Sequence, residues 1–152
     1  MTQLKVKEAL YKQCEAFVNK RLNTVTEIIS SNQKALQSET KSSAGDKHET
    51  GRAMLQLEME KASQQLAGIT QMKEILAKID VSKTSNIAHL GTVIETTMAN
   101  YFLSISAGQL TVDNVVYFAI SVSSPIGKLL LGKKMEDAIV FNGNTIIIKG
   151  LK

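Results

Sequence analysis

The chain has 152 residues, 43% hydrophobic and 21% charged, enough for one ordinary domain or a small domain with an extended element, and too little for a large enzyme. Its net charge of +4 is mild, and with no Trp, three Tyr and four Phe it lacks the rings for a base-stacking platform. The single Cys14 cannot close an internal disulfide, which points to a reducing compartment and a cytoplasmic protein.

Residues 4–36 contain neither Gly nor Pro, and Val18, Leu22, Val25, Ile29, Asn32 and Leu36 recur at alternating spacings of four and three. That period predicts a helix with a coiled-coil seam. Cys14 falls within its apolar pattern and is expected to pack rather than react. Asn32 occupies a seam position, where an amide either fixes register or marks a wet end. The N-terminal residues lack an uninterrupted apolar run, and no later stretch approaches the roughly 20 apolar residues of a membrane span.

The pattern stops at Glu39-Thr40-Lys41-Ser42-Ser43-Ala44-Gly45, a small, polar connection, and resumes with Leu55, Met59, Ala62, Leu66, Ile69, Met72 and Leu76. Two helices with matched seams and a short connection are expected to fold back as an antiparallel hairpin over 1–80, with its tip at 40–49. At about 1.5 Å per residue, arms of this length would reach roughly 50 Å. Residues 39–80 carry six basic and seven acidic side chains, against six and three in 1–38 and six and four in 81–152. At the tip, Asp46 and Glu49 are three residues apart. On spacing alone Asp-Lys-His-Glu reads either as a capping box for the second helix or as a pair of metal-binding carboxylates.

After the polar break at 81–86 the sequence turns β-prone, with strands expected at 92–94, 101–105, 115–122, 139–141 and 145–148. Asn142-Gly143 between the last two predicts a tight type I′ hairpin, because both residues tolerate positive φ. Ser123-Ser124-Pro125-Ile126-Gly127-Lys128-Leu129-Leu130-Leu131-Gly132 predicts a short helix with a cap Ser, an early Pro and a terminal Gly, its three leucines in the core. The fold class is therefore α+β: a long N-terminal coiled-coil hairpin over 1–80 and a small β-rich domain over 81–152.

Two stretches resemble the Gre transcript-cleavage factors, GreA and GreB. Ser124-Pro125-Ile126-Gly127-Lys128-Leu129-Leu130-Leu131-Gly132-Lys133-Lys134 is similar to a segment of their C-terminal domain, and Gly45-Asp46-x-x-Glu49 matches their tip motif in register. The resemblance implies an FKBP-like C-terminal domain that docks at the rim of the bacterial RNA polymerase secondary channel, while the hairpin enters the channel. Asp46 and Glu49 would then help hold the second catalytic Mg²⁺ beside the 3′ end of backtracked RNA, with Asp46 as ligand and Glu49 as ligand or water-orienting base. No metal would be bound tightly by the factor alone. The protein would be an accessory to the polymerase's own RNA cleavage, not an enzyme.

The tip departs from the family in carrying Lys47, His48 and Arg52. Cations there would oppose Mg²⁺ binding, or contact RNA phosphate through Lys47 and Arg52. Glu136-Asp137 stands where the family has Gly-Asp, and 106–112 matches it poorly. These departures bear on cleavage more than on docking, for which Lys128, Lys133 and Lys134 are the candidates. The alternatives are a channel binder that modulates or inhibits without cleaving, and a homodimeric coiled-coil module; the hairpin reading predicts a monomer. A free-standing enzyme is disfavoured by the absence of Gly-x-Gly-x-x-Gly, P-loop and Cys-x-x-Cys patterns and by the separation of His48 from His89. Sequence-specific DNA binding is disfavoured because no helix concentrates basic residues on one face.

Overall fold

The computed structural model describes residues 2–38 and 50–152 in full, and for 39–41 and 45–49 the helical backbone alone. Two helices, α1 (Gln3–Lys41) and α2 (Gly45–Ala77), precede six strands and a short helix: β1 (Val93–Thr96), β2 (Asn100–Ser104), β3 (Gly108–Val112), β4 (Val115–Ser121), α3 (Pro125–Leu130), β5 (Ala138–Phe141) and β6 (Asn144–Leu151). The expected α+β class is the observed one. Among the described residues no helix is long and apolar enough to cross a membrane.

The chain forms two compact units. One comprises Val18–Lys73, the other Met1–Phe17 together with Glu74–Lys152. In the first unit the expected seam is the buried one: Val18, Val25, Ala62 and Ile69 are each at most 5% exposed, and Leu22, Ile29, Leu55, Met59 and Leu66 are half-buried. The heptad spacing puts these side chains on one stripe of each helix, so each helix supplies the apolar surface that the other covers.

In the second unit the strands form one mixed sheet of order β3-β4-β2-β1-β6-β5. Only the β2–β4 pair is parallel. It runs from Tyr101 opposite Phe118 to Ser104 opposite Ser121, and β4 reaches that place by way of β3, with which it pairs antiparallel. Alternation along β2 divides the core. Tyr101 and Leu103 join Ile94, Leu130, Ile139, Ile146 and Ile148 in a cluster with α3, while Phe102 and Ser104 point to the opposite face. The start of α1 covers that opposite face: Cys14 Sγ lies 3.7 Å from Ser104 Oγ, and Gln13 Nε2 donates to the Thr111 carbonyl. All seven aromatic residues, Tyr11, Phe17, Tyr101, Phe102, Tyr117, Phe118 and Phe141, belong to this unit.

Strand β3 falls in a stretch that was not expected to be a strand. It forms because Asp113 (φ 51°) and Asn114 (φ 65°) make a tight turn that folds it back on β4. The expected Asn142-Gly143 turn is present, with φ of 51° and 79°.

Candidate functional site

The tip motif falls where α1 gives way to α2: Asp46, Lys47, His48 and Glu49 belong to the opening of α2. Their side chains lie outside the described residues, and with them the choice between capping and metal holding. Arg52 is described and is exposed. Among the described residues no three His, Cys, Asp or Glu side chains gather closely enough to hold a metal.

The second candidate region is built around α3. Ser124 caps the helix: its Oγ accepts from the Gly127 amide at 3.1 Å and donates to the Ser121 carbonyl at 2.6 Å. Pro125 takes the first helical position, where its missing N–H costs nothing. Gly127 is required by space, since a Cβ there would lie 2.0 Å from the Ser121 carbonyl oxygen. Beyond the helix, Gly132 adopts φ 83°, and its amide donates to Ala88, whose own amide donates to the Lys133 carbonyl, both at 2.8 Å. Thus the segment 124–133 is held at both ends by hydrogen bonds that its own residue types dictate.

Of the three leucines expected in the core, only Leu130 is there. Leu129 is 36% and Leu131 46% exposed, because a six-residue helix lying on a sheet turns only one of three successive positions inward. They accompany exposed Lys128 and Lys134 and half-buried Lys133. The Lys134 amide donates to Asp137 Oδ2, which ties the backbone beyond the helix. The result is a rigid segment that presents two leucines and several ammonium groups.

Three buried polar groups lie away from both regions. Cys14 is fully buried, and burial raises its thiol pKa, only partly countered by the Ser104 hydroxyl, so it remains an inert packing residue. Lys7 is 1% exposed and donates from Nζ to the Lys83 carbonyl at 2.8 Å; burial lowers its pKa, against the opposing pull of Asp80. Nothing in a composition count flags it. Continuing the alternating spacing backward from Val18 gives Glu15, Tyr11 and Glu8; the buried line runs instead through Cys14 and Leu10 to Lys7, a change of register that hides it. Asn32 is 7% exposed, and its Nδ2 has no hydrogen-bond partner among the described residues. A buried donor left unpaired costs about 1–3 kcal/mol. Beside it opens a groove of about 520 Å³ between α1 and α2. His89 is half-buried, with Nδ1 2.8 Å from the Leu90 carbonyl oxygen, which selects the Nδ1-protonated tautomer.

No protein-family model and no curated protein matches the chain. Among solved structures the chain is similar to the crystal structure of GreA factor homolog 1 of Thermus thermophilus, with 18% identity, 93% of this chain and 94% of that one covered, and a TM-score of 0.34. At that identity and TM-score the correspondence is loose.

Proposed function

We propose that this protein is an accessory factor of bacterial RNA polymerase that presents the connection between its two long helices to the secondary channel and stimulates cleavage of backtracked RNA. One observation carries the reading: the Gly45-Asp46-x-x-Glu49 motif, which resembles the Gre tip, falls at the junction of α1 and α2, where a reaching hairpin would present its chemistry. The capped α3 segment, the second place of resemblance, supplies a rigid surface for docking through Lys128, Lys133 and Lys134, with Leu129 and Leu131 beside them.

Asp46 and Glu49 are a donor set of hard carboxylate oxygens, and this suits Mg²⁺, which commonly takes one or two protein carboxylates beside water and phosphate oxygens. The ion, shared with the polymerase, would supply activation of water and charge stabilisation on the RNA phosphate. Asp46 would be a ligand; Glu49 would ligate or accept a proton from water. Lys47 and Arg52 would meet RNA phosphate oxygens. In this reading the factor is a cytoplasmic protein, and a seam covered within one chain supports a monomer.

A second reading keeps the docking and drops the cleavage. It is favoured by exposed Arg52 and neighbouring Lys47, whose positive charge opposes a second metal ion at the tip. Adding wild type, Asp46→Asn and Glu49→Gln to a reconstituted backtracked polymerase separates the two. Cleavage faster than the intrinsic rate, lost in both variants at unchanged melting temperature, is expected. Binding without acceleration by the wild type would sink the cleavage reading and leave the modulator. A melting-temperature drop with no cleavage change would make the carboxylates caps.

A further inference from the structure

In a hairpin the chain connection already sets the register of the two helices, so the usual use of a seam asparagine, choosing register between separate chains, does not account for Asn32. Its Nδ2 is closed off from the groove beside it and has no acceptor. That cost exists only while the helices stay paired, because water takes the amide as soon as they part. Across the seam Asn32 stands at the level of Glu58, which lines the same groove.

Burial changes at this level. On one side of it Val18, Val25, Ala62 and Ile69 are each at most 5% exposed. On the other, toward the connection of α1 and α2, none of residues 33–38 and 50–57 is fully buried, and the seam residues Leu36 and Leu55 are half-buried. The same stretch of α2 holds Gly51, and glycine favours the unfolded chain over a helix more than any residue but proline. An unpaired donor at its base, thin burial along its seam and a glycine in one arm lower the stability of one and the same segment.

We propose that Asn32 makes 33–38 and 50–57 a separately opening segment of the hairpin, whose helices part as far as Asn32 while 18–31 and 59–73 stay paired. Opening frees the Asn32 amide and the inner faces of Leu36 and Leu55; closing covers them again. The connection of α1 and α2 thus stands on a support with two states. The device lies wholly within the Val18–Lys73 unit and is independent of the polymerase reading.

Native-state hydrogen exchange on the full-length protein tests this. The amides of 33–38 and 50–57 are expected to share one protection level, at least about tenfold below that of 18–31 and 59–73. Asn32→Leu removes the unpaired donor and is expected to slow exchange of the segment about ten- to hundredfold. Gly51→Ala, which leaves the seam amide in place, is expected to slow it about fivefold. Ile69→Val, on the other side of Asn32, is expected to speed 18–31 and 59–73 several-fold and to leave the segment unchanged. A single protection level over the whole hairpin would overturn the device. So would segment exchange unaltered by Asn32→Leu, or a segment that Ile69→Val accelerates along with the rest.

Discussion

Gly127 illustrates how one residue type can be forced by its neighbours. With a Cβ placed 2.0 Å from the Ser121 carbonyl, Gly127→Ala must shift the β4–α3 connection and loosen the Ser124 cap, at an expected cost of about 2–4 kcal/mol in urea unfolding. Lys7 is the opposite case, a residue that burial makes expensive. Its folded pKa is lowered, so between that value and the ordinary 10.5 the unfolded chain binds more protons and stability rises with pH. Raised pKa values at Cys14, Tyr11, Tyr101 and Tyr117 act with the other sign, since there the native state keeps its protons longer. Comparing wild type with Lys7→Met isolates the lysine: the wild type is expected to gain stability relative to the variant as pH rises through the alkaline range. A pH-independent difference would mean that Lys7 binds its proton equally in the folded and unfolded chains, so that burial does not lower its pKa. The Lys7 ammonium was hidden from sequence reading because position 7 lies off the alternating seam and a lysine is ordinarily assigned to solvent.

At the scale of elements, what could be read in advance follows from periodicity. The seams of α1 and α2 recur over many turns, and every position expected from Val18 to Leu76 is buried or half-buried. Ile69→Ala is accordingly expected to cost about 2–4 kcal/mol for the Val18–Lys73 unit, measured by the amide exchange of its helices. Short elements carry less signal. Strand β3, Gly-Gln-Leu-Thr-Val, has five residues and a leading glycine, and its turn is Asp113-Asn114 rather than a glycine-containing pair. The side-chain amide and carboxylate tolerance of positive φ was the available clue. For the same reason Asn114→Gly is expected to stabilise the β3–β4 hairpin by up to about 1 kcal/mol, read from the unfolding midpoint. In α3 the caps were legible residue by residue, whereas which leucine turns inward depended on how the helix lies on the sheet.

For the whole molecule, the compact units divide α1 near Phe17 and α2 near Glu74. The sequence pattern could not show this, because α1 and α2 run unbroken through both places and the sheet residues that meet Cys14 and Gln13 are about 90 positions away. Two units with separate cores are expected to open separately. Native-state hydrogen exchange should assign one opening free energy to the helical amides of 18–31 and 59–73 and another to the central strands β1 and β2; a single shared value would show one cooperative body. The tip motif was legible in sequence, yet its chemistry rests on side chains beyond those described, so the cleavage assay carries that question. The placement of the aromatic residues has an optical consequence. With every Tyr and Phe in one unit and no Trp in the chain, 18–73 is dark in the near ultraviolet. A single indole introduced at Leu57, 66% exposed, would be its only chromophore, so the emission of Leu57→Trp on meeting a partner would come from this unit and no other.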